Sequence, residues 1–290
     1  ADNQILVRGE CDRTVTALRL LEPAIDITVH DNLIRNCGQG LACGRASSQV
    51  AAVIDPQTFT LGRRFLPLEH RLETQLQGWQ IAWLTGGRAE ALSTVQGITG
   101  ASGTDPVTVR LAAPPERLET GRSFDALPPQ SNWNLHDNTI ADCLQPAVFD
   151  IYGSPTTIFR NNILTRGTAA GVPQAILVGG QVHLLGNHLV GFDEPGSAAL
   201  SLQASAFRQT ARSRIRDNVF AGCAEAVRDA VGGVWTPAAA AVNAIVEPAV
   251  AAPAVAPAAG AAAPVAAPAH GAACHGSADP RRPRRGVAMA

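Results

Sequence analysis

The sequence predicts an all-β chain: a parallel β-solenoid with one inserted small antiparallel β-barrel and a disordered C-terminal tail. Three observations predict it. A motif recurs five times at a period near 24 residues, one long stretch interrupts that period, and the composition from residue 236 onward collapses into Ala and Pro.

The repeat sets the architecture, because a missed period misassigns everything built on it. Five segments align without gaps: Val29–Cys37, Leu135–Cys143, Phe159–Gly167, Leu184–Phe192 and Ile215–Cys223. They share Asn32, Asn138, Asn162, Asn187 and Asn218, spaced 106, 24, 25 and 31 residues apart. A period near 24 suits a coil of three short strands and three turns, and the 106 is one such coil plus an insertion. Three positions before the asparagines stand Val29, Leu135, Phe159, Leu184 and Ile215; two after them stand Ile34, Ile140, Leu164, Leu189 and Phe220. Both columns are apolar throughout, as inward-facing strand positions must be. The Asn between them falls at a bend. If it points inward, its amide can bond to the Asn one coil away and so build a ladder along the axis. Each such bond nets about 1 kcal/mol, while a buried amide without partners costs roughly 1–3 kcal/mol. The column therefore supports itself only when coils stack in register. An amphipathic helix is the competing reading, but Asn, Gly and β-branched residues at these spacings are poor helix material.

Residues 51–130 break the period. Phe59–Leu61, Trp79–Leu84, Ala91–Ile98 and Val107–Leu111 are short apolar-alternating runs separated by Gly, Pro and Asp turns, which favours a small antiparallel barrel. The predicted organisation is thus β-helix coils over 1–50, the barrel over 51–130, further coils over 131–235 and the tail over 236–290. In the tail, alternating Pro removes backbone donors and favours extended spacer behaviour. Its Arg281–Arg285 cluster reads as a solvated terminus.

Charge excludes some classes of partner. The 23 basic and 24 acidic residues give a net charge of -1, so no sequence-wide attraction for nucleic acid or anionic membranes is expected. All the basic residues are arginine, a bias without mechanistic weight. No apolar run is long enough to span a membrane as a helix. The only methionine is Met289 and the chain opens at Ala1, so we expect a fragment or a processed chain.

Candidate chemistry is sparse. Asp31 and Asp137 precede ladder asparagines in stacked coils, a placement that could gather carboxylate oxygens for Ca²⁺ or pair two carboxyls, although Asp also simply suits a bend. No other cofactor is expected. His30 and His136 precede those aspartates, and Arg160 and Arg216 continue their column, so a solvated ridge is the favoured reading. In Val148–Tyr152, Phe149 and Ile151 should point inward, which puts Asp150 and Tyr152 on the outer strand face as catalytic candidates. Asp193 and Glu194, in a later loop, could supply further acid. Trp79 and Trp83 lie four apart on one strand face, either as a sugar-stacking platform or as core. Cys37, Cys143 and Cys223 stand five after the ladder Asn as small core residues; a Cys37–Cys143 disulfide is not excluded by coil spacing. Cys274 and His275 form no site.

The five-fold pattern resembles the right-handed parallel β-helix repeat of pectate-lyase-like proteins and many carbohydrate-active enzymes, over roughly 25–50 and 131–230. An inserted barrel between coils resembles the layout of some β-helix glycoside hydrolases, notably an α-galactosidase family, where the insertion helps wall the substrate cleft. The resemblance implies a monomeric extracellular, periplasmic or cell-surface protein acting on a glycan, as a glycoside hydrolase or polysaccharide lyase. The alternative is a noncatalytic, adhesin-like solenoid that binds glycans. A polygalacturonase-like Gly-His-Gly, an Asp-Asp pair and any lysine base are all missing, so no reaction is carried onto a residue.

Overall fold

Short strands separated by tight bends do not pair as hairpins here. Each pairs in parallel with its equivalent one coil away. The computed structural model describes residues 1–7, 12–22, 24–45, 47–61, 78–100, 106–204 and 210–247. The first coil holds β1 (Gln4–Leu6) and β2 (Asp12–Glu22), and the second β3 (Thr28–His30), β4 (Leu33–Arg35) and β5 (Cys37–Arg45). The insertion supplies β6 (Ser47–Asp55), β7 (Thr58–Leu61), β8 (Gln80–Thr85), β9 (Arg88–Thr99), β10 (Thr108–Leu111) and β11 (Ser123–Leu127). The solenoid then resumes with β12 (Asn134–His136), β13 (Thr139–Ala141) and β14 (Gln145–Phe149), followed by β15 (Gly153–Arg160), β16 (Ile163–Thr165) and β17 (Gln174–Val178). After β18 (Gln181–Leu185), β19 (His188–Val190) and β20 (Ala198–Leu202) come β21 (Arg214–Arg216), β22 (Val219–Ala221) and β23 (Val227–Asp229). A short helix α1 (Pro237–Ala241) and β24 (Ala244–Val246) complete the described chain.

The strands form three sheets, of seven, six and five strands, and the fold is a parallel β-solenoid. Register keeps the apolar columns aligned: Leu135 pairs with Val29 and Phe159, Ile140 with Ile34 and Leu164, and Ala147 with Leu41 and Ile176. Leu135, Ile140, Phe159, Leu164 and Leu189 are all buried. Third-sheet residues close the core, where Phe149 meets Phe159 edge-on at 5.4 Å.

The bends explain the Asp, Asn and Gly columns. Asp31, Asp137, Asn161, Gly186 and Asp217 all adopt left-handed φ values between 52° and 65°. That region suits Gly and is reached at low cost by Asn and Asp.

The asparagines behind the bends are buried and bonded to one another. Nδ2 of Asn32 donates to Oδ1 of Asn138 at 2.8 Å, Asn138 to Asn162 at 2.9 Å, Asn162 to Asn187 and Asn187 to Asn218 both at 3.0 Å. Each receiving Oδ1 also accepts the backbone N–H of the preceding Asn. The column is longer than the five repeats indicate. Asn3 donates to Asn32 at 3.1 Å and Asn218 donates to Asn243 at 2.9 Å. Both added positions carry the same apolar companion two residues on, Ile5 and Ile245. Every Asn-to-Asn donation runs from the N-terminal coil toward the C-terminal one, while Nδ2 of Asn138, Asn162, Asn187 and Asn218 also donates back to a backbone carbonyl of the preceding coil.

Residues 236–247, assigned by sequence to the tail, are therefore part of the solenoid. Thr236 caps α1 by accepting the N–H of Ala239 at 3.2 Å, and Pro237 opens the helix where no amide proton is needed. Asn243 ends the column by donating to Ala239 O rather than to another asparagine. Asp229 takes an inward register position opposite Leu202, and it accepts the N–H groups of Val231, Gly232, Val234 and Trp235. Four such bonds outweigh its burial and hold its carboxyl below the usual range. Trp235 then covers Phe220, with ring centroids 5.8 Å apart. The disordered stretch expected from 248 onward lies outside the described residues.

The insertion is a closed barrel in the order β10–β7–β6–β11–β8–β9 with antiparallel pairing. Its first strand begins at Ser47, four residues before the boundary read from the broken period, because Arg45 ends β5 and the chain leaves the solenoid directly. The barrel core centres on Phe59, Trp83 and Phe124, whose rings lie 5.5 to 5.8 Å apart in tilted and edge-on contacts. Among the described residues no helix is long and apolar enough to cross a membrane.

Candidate functional site

The sequence candidates fall in four places, and the structure treats each differently. Asp150 lies just past β14, where barrel and solenoid meet. Its side chain is half-exposed and sits 3.5 Å from an Arg45 terminal nitrogen. The other terminal nitrogen of Arg45 bonds Asp125 of β11 at 3.0 Å. Asp125 is buried, and also accepts from Ser47 at 2.5 Å and from the Tyr152 hydroxyl at 2.9 Å. Arg45 Nε is buried without an acceptor among the described residues.

Tyr152 does not share an outer face with Asp150. It is buried against Ala82 and Leu127 of the barrel. The strand alternation that put it outside ends at Phe149, since Asp150–Tyr152 belong to no strand and Ile151 turns fully inward. Burial first, and then the adjacent Asp125 charge, push its phenol well above the usual range. Tyr152 braces the junction of barrel and solenoid.

Sequence reasoning missed Glu22, the most perturbed carboxyl of this junction. It is 2% exposed, and its two oxygens accept the backbone N–H groups of Tyr152 at 2.8 Å and Gly153 at 3.0 Å. Burial is the largest influence on it and pushes its pKa up to about 7, with Asp125 adding to the rise and the two backbone bonds and Arg45 opposing it. Gly153 is obligatory in this clamp: its φ is 73°, and a Cβ would come within 2.1 Å of Gln181 O. A Glu at the end of β2 belongs to no repeat column, so nothing in the sequence pattern singles it out.

Asp193 and Glu194 gather around Arg166 at 2.9 and 2.8 Å, and Glu194 also accepts the Gly171 N–H. They pin a loop. Trp79 and Trp83 are 3% and 0% exposed, so the sugar-stacking platform gives way to barrel core. Trp83 Nε1 donates to Ser93 at 2.8 Å, and the Arg122 guanidinium lies 4.8 Å above its ring. The carboxylates of Asp31 and Asp137 are each bonded to the neighbouring histidine instead of converging on a common point. Among the described residues, no three His, Cys, Asp or Glu side chains gather as a metal centre. Cys37 and Cys143 are thiols and form no disulfide with each other; each Sγ donates to the carbonyl two residues before it at 3.3 Å.

Two concave surfaces stand out among the described residues. One, of about 860 Å³, lies on the barrel and is lined by charged groups including Glu90, Arg117 and Arg122. Arg122 is already paired with Glu90. The other, of about 550 Å³, crosses successive solenoid coils and is lined by Thr14, Thr16, Gln39, Leu144, Gln145 and Pro173, with two glycines. Thr16 Oγ1 donates to Gln39 Oε1 at 3.1 Å, and Gln39 Nε2 donates to Gln145 Oε1 at 2.7 Å. Among the described residues none that lines it is charged.

No family model matches the chain. No curated protein matches it. Among solved structures it is similar to the Gp54 tailspike of Acinetobacter baumannii bacteriophage AP22, in complex with A. baumannii capsular saccharide, at 10% identity and a TM-score of 0.22. The match covers 72% of this chain, which spans 40% of the tailspike chain. A likeness at that level carries no argument, and the fold rests on the strand pairings themselves.

Proposed function

We propose that this chain is a glycan-binding β-solenoid, and that it binds through the uncharged groove across its first coils. The observation that supports this reading is the Thr16–Gln39–Gln145 chain. An amide presents two donor hydrogens and two acceptor lone pairs, so each glutamine keeps bonding capacity beyond its contact with its neighbour. Such groups meet sugar hydroxyls of either polarity. Leu144 and Pro173 add apolar surface for the C–H faces of a pyranose ring. The volume falls within the usual range for small-molecule sites.

The catalytic reading rests on Asp150. Asp125 behind it is committed to Arg45, Ser47 and Tyr152, and Asp193 and Glu194 are committed to Arg166, which leaves Asp150 without an evident second carboxyl for hydrolysis. Binding without turnover is the better fit.

The test is titration of the full chain with a panel of neutral and acidic oligosaccharides, with circular dichroism to verify folding of each variant. Gln39→Leu and Gln145→Leu should each weaken the best ligand about tenfold or more, equivalent to roughly 1.4 kcal/mol. Wild-type affinity in both variants, or no ligand in the panel, would remove the groove from the proposal. Turnover by the wild type that disappears in Asp150→Asn would replace binding with catalysis.

A further inference from the structure

His30 and His136 occupy equivalent positions in neighbouring parallel strands, β3 and β12, and pair directly in register. Their rings stack with centroids 5.0 Å apart and planes within 5°. Nδ1 of His30 lies 2.7 Å from Asp31, and Nδ1 of His136 lies 2.5 Å from Asp137. An ionised carboxylate can only accept, so Nδ1 must carry the proton. In the neutral ring the lone pair then sits on Nε2, on the far side of the imidazole from the aspartate. Both rings have the same arrangement, so the two Nε2 lone pairs are presented side by side on one face of the five-stranded sheet.

This is the outer-shell arrangement that orients metal-bound histidines, in which a carboxylate fixes the tautomer and raises the basicity of the ligating nitrogen. We infer that His30 and His136 form an open site for a borderline-soft divalent cation such as Zn²⁺ or Ni²⁺, bound through both Nε2 atoms. Imidazole nitrogen suits these ions, whereas calcium takes oxygen. Two metal–nitrogen bonds of about 2.0–2.1 Å require the Nε2 atoms to approach within about 4 Å, so the stacked rings tilt toward each other at their outer edges. His30, about one-third exposed on the edge strand, has room to do so. Charge favours the cation: with neutral rings the two aspartates contribute two negative charges. The guanidinium next in the column, Arg160, is bonded to Asn134. Solvent or an oxygen donor from another molecule completes the coordination. The aspartates singled out by sequence as metal ligands thus act one step back, as positioning residues.

The experiment is calorimetric titration of the full chain with Ni²⁺ and with Zn²⁺ near neutral pH, reversed with a chelator. His270, Cys274 and His275 stay unchanged in every variant, so any ion they hold is common to all. The site predicts one fewer equivalent bound in His30→Gln and in His136→Gln, whose planar amides preserve the surface shape. Asp137→Asn should keep the equivalent but weaken it about tenfold to a hundredfold. Copper(II) electron paramagnetic resonance gives a second readout, with two coupled nitrogens in the wild type and one in His30→Gln. The same stoichiometry in the wild type and the His30→Gln/His136→Gln double variant would overturn the inference.

Discussion

Glu22 and Asn162 are both buried polar residues, and they make opposite demands on the fold. Glu22 is held by two backbone N–H groups, which favours its carboxylate, yet burial wins and lifts its pKa to about 7. The folded chain therefore binds this proton more tightly than the unfolded one, whose Glu titrates near 4.5. Its contribution to stability is greatest below about 4.5, declines as pH rises to about 7 and is flat beyond. A shift of this size corresponds to about 3 kcal/mol as an upper bound. Urea unfolding followed from pH 4.5 to 8 should show this decline in the wild type. In Glu22→Gln the decline should vanish, with a constant loss because the amide NH₂ faces a backbone N–H. The lowered carboxyls of Asp142 and Asp229 act with the opposite sign, losing stability as pH falls through their folded values. Their window lies below 3.8 and does not overlap that of Glu22. Asn162 carries no charge but satisfies more partners. It donates to Asn187, Leu135 and Arg160, and accepts both the N–H and the Nδ2 of Asn138. Asn162→Ala strands several buried groups at roughly 1–3 kcal/mol each and should cost at least 3 kcal/mol in denaturant unfolding. Asn3→Ala, at the end of the same column, should cost far less.

At the level of elements, the barrel is an addition that the solenoid accommodates without a gap. β5 and β14 pair directly across it, with Leu41 opposite Ala147, although 106 residues separate the equivalent asparagines. β2 joins β3 through only five residues, so a connection of that order suffices where no insertion intervenes. Replacing residues 47–127 with a short Gly/Ser linker should therefore leave a folded solenoid. The deletion removes Asp125 together with Ala82 and Leu127, so Arg45 and the Tyr152 hydroxyl face water, which satisfies them, and the loss of stability should be small. Cooperative thermal melting monitored by far-ultraviolet circular dichroism checks both statements; a deletion chain that melts without cooperativity would show the barrel to be integral.

Across the whole molecule, the parts legible in the sequence are those that repeat. Val29, Leu135, Phe159, Leu184 and Ile215 announce a sheet because stacked coils impose the same environment at every level. Asn3 and Asn243 obey the same rule, but their flanking residues match the motif only at Asp2, Ile5 and Ile245, so the signal thins at both ends. The junction of Glu22, Arg45, Asp125 and Tyr152 was not legible. Its members lie far apart in sequence, on two differently folded bodies, and no period relates them. The uncharged groove was hidden for a related reason: Thr16, Gln39 and Gln145 look like ordinary surface residues until register brings them together. The one-way direction of the asparagine column has a consequence for how the chain assembles. A finished coil displays amide donors on its C-terminal side, and the next coil docks by bringing a carbonyl oxygen to them. Within the uninterrupted stretch each such docking closes a loop of 24 to 31 residues. Between Asn32 and Asn138 the loop is 106 residues, so closure there is entropically the costliest step. The first and last strands of the barrel, β6 and β11, pair directly, so closing the barrel holds the two ends of that long loop together.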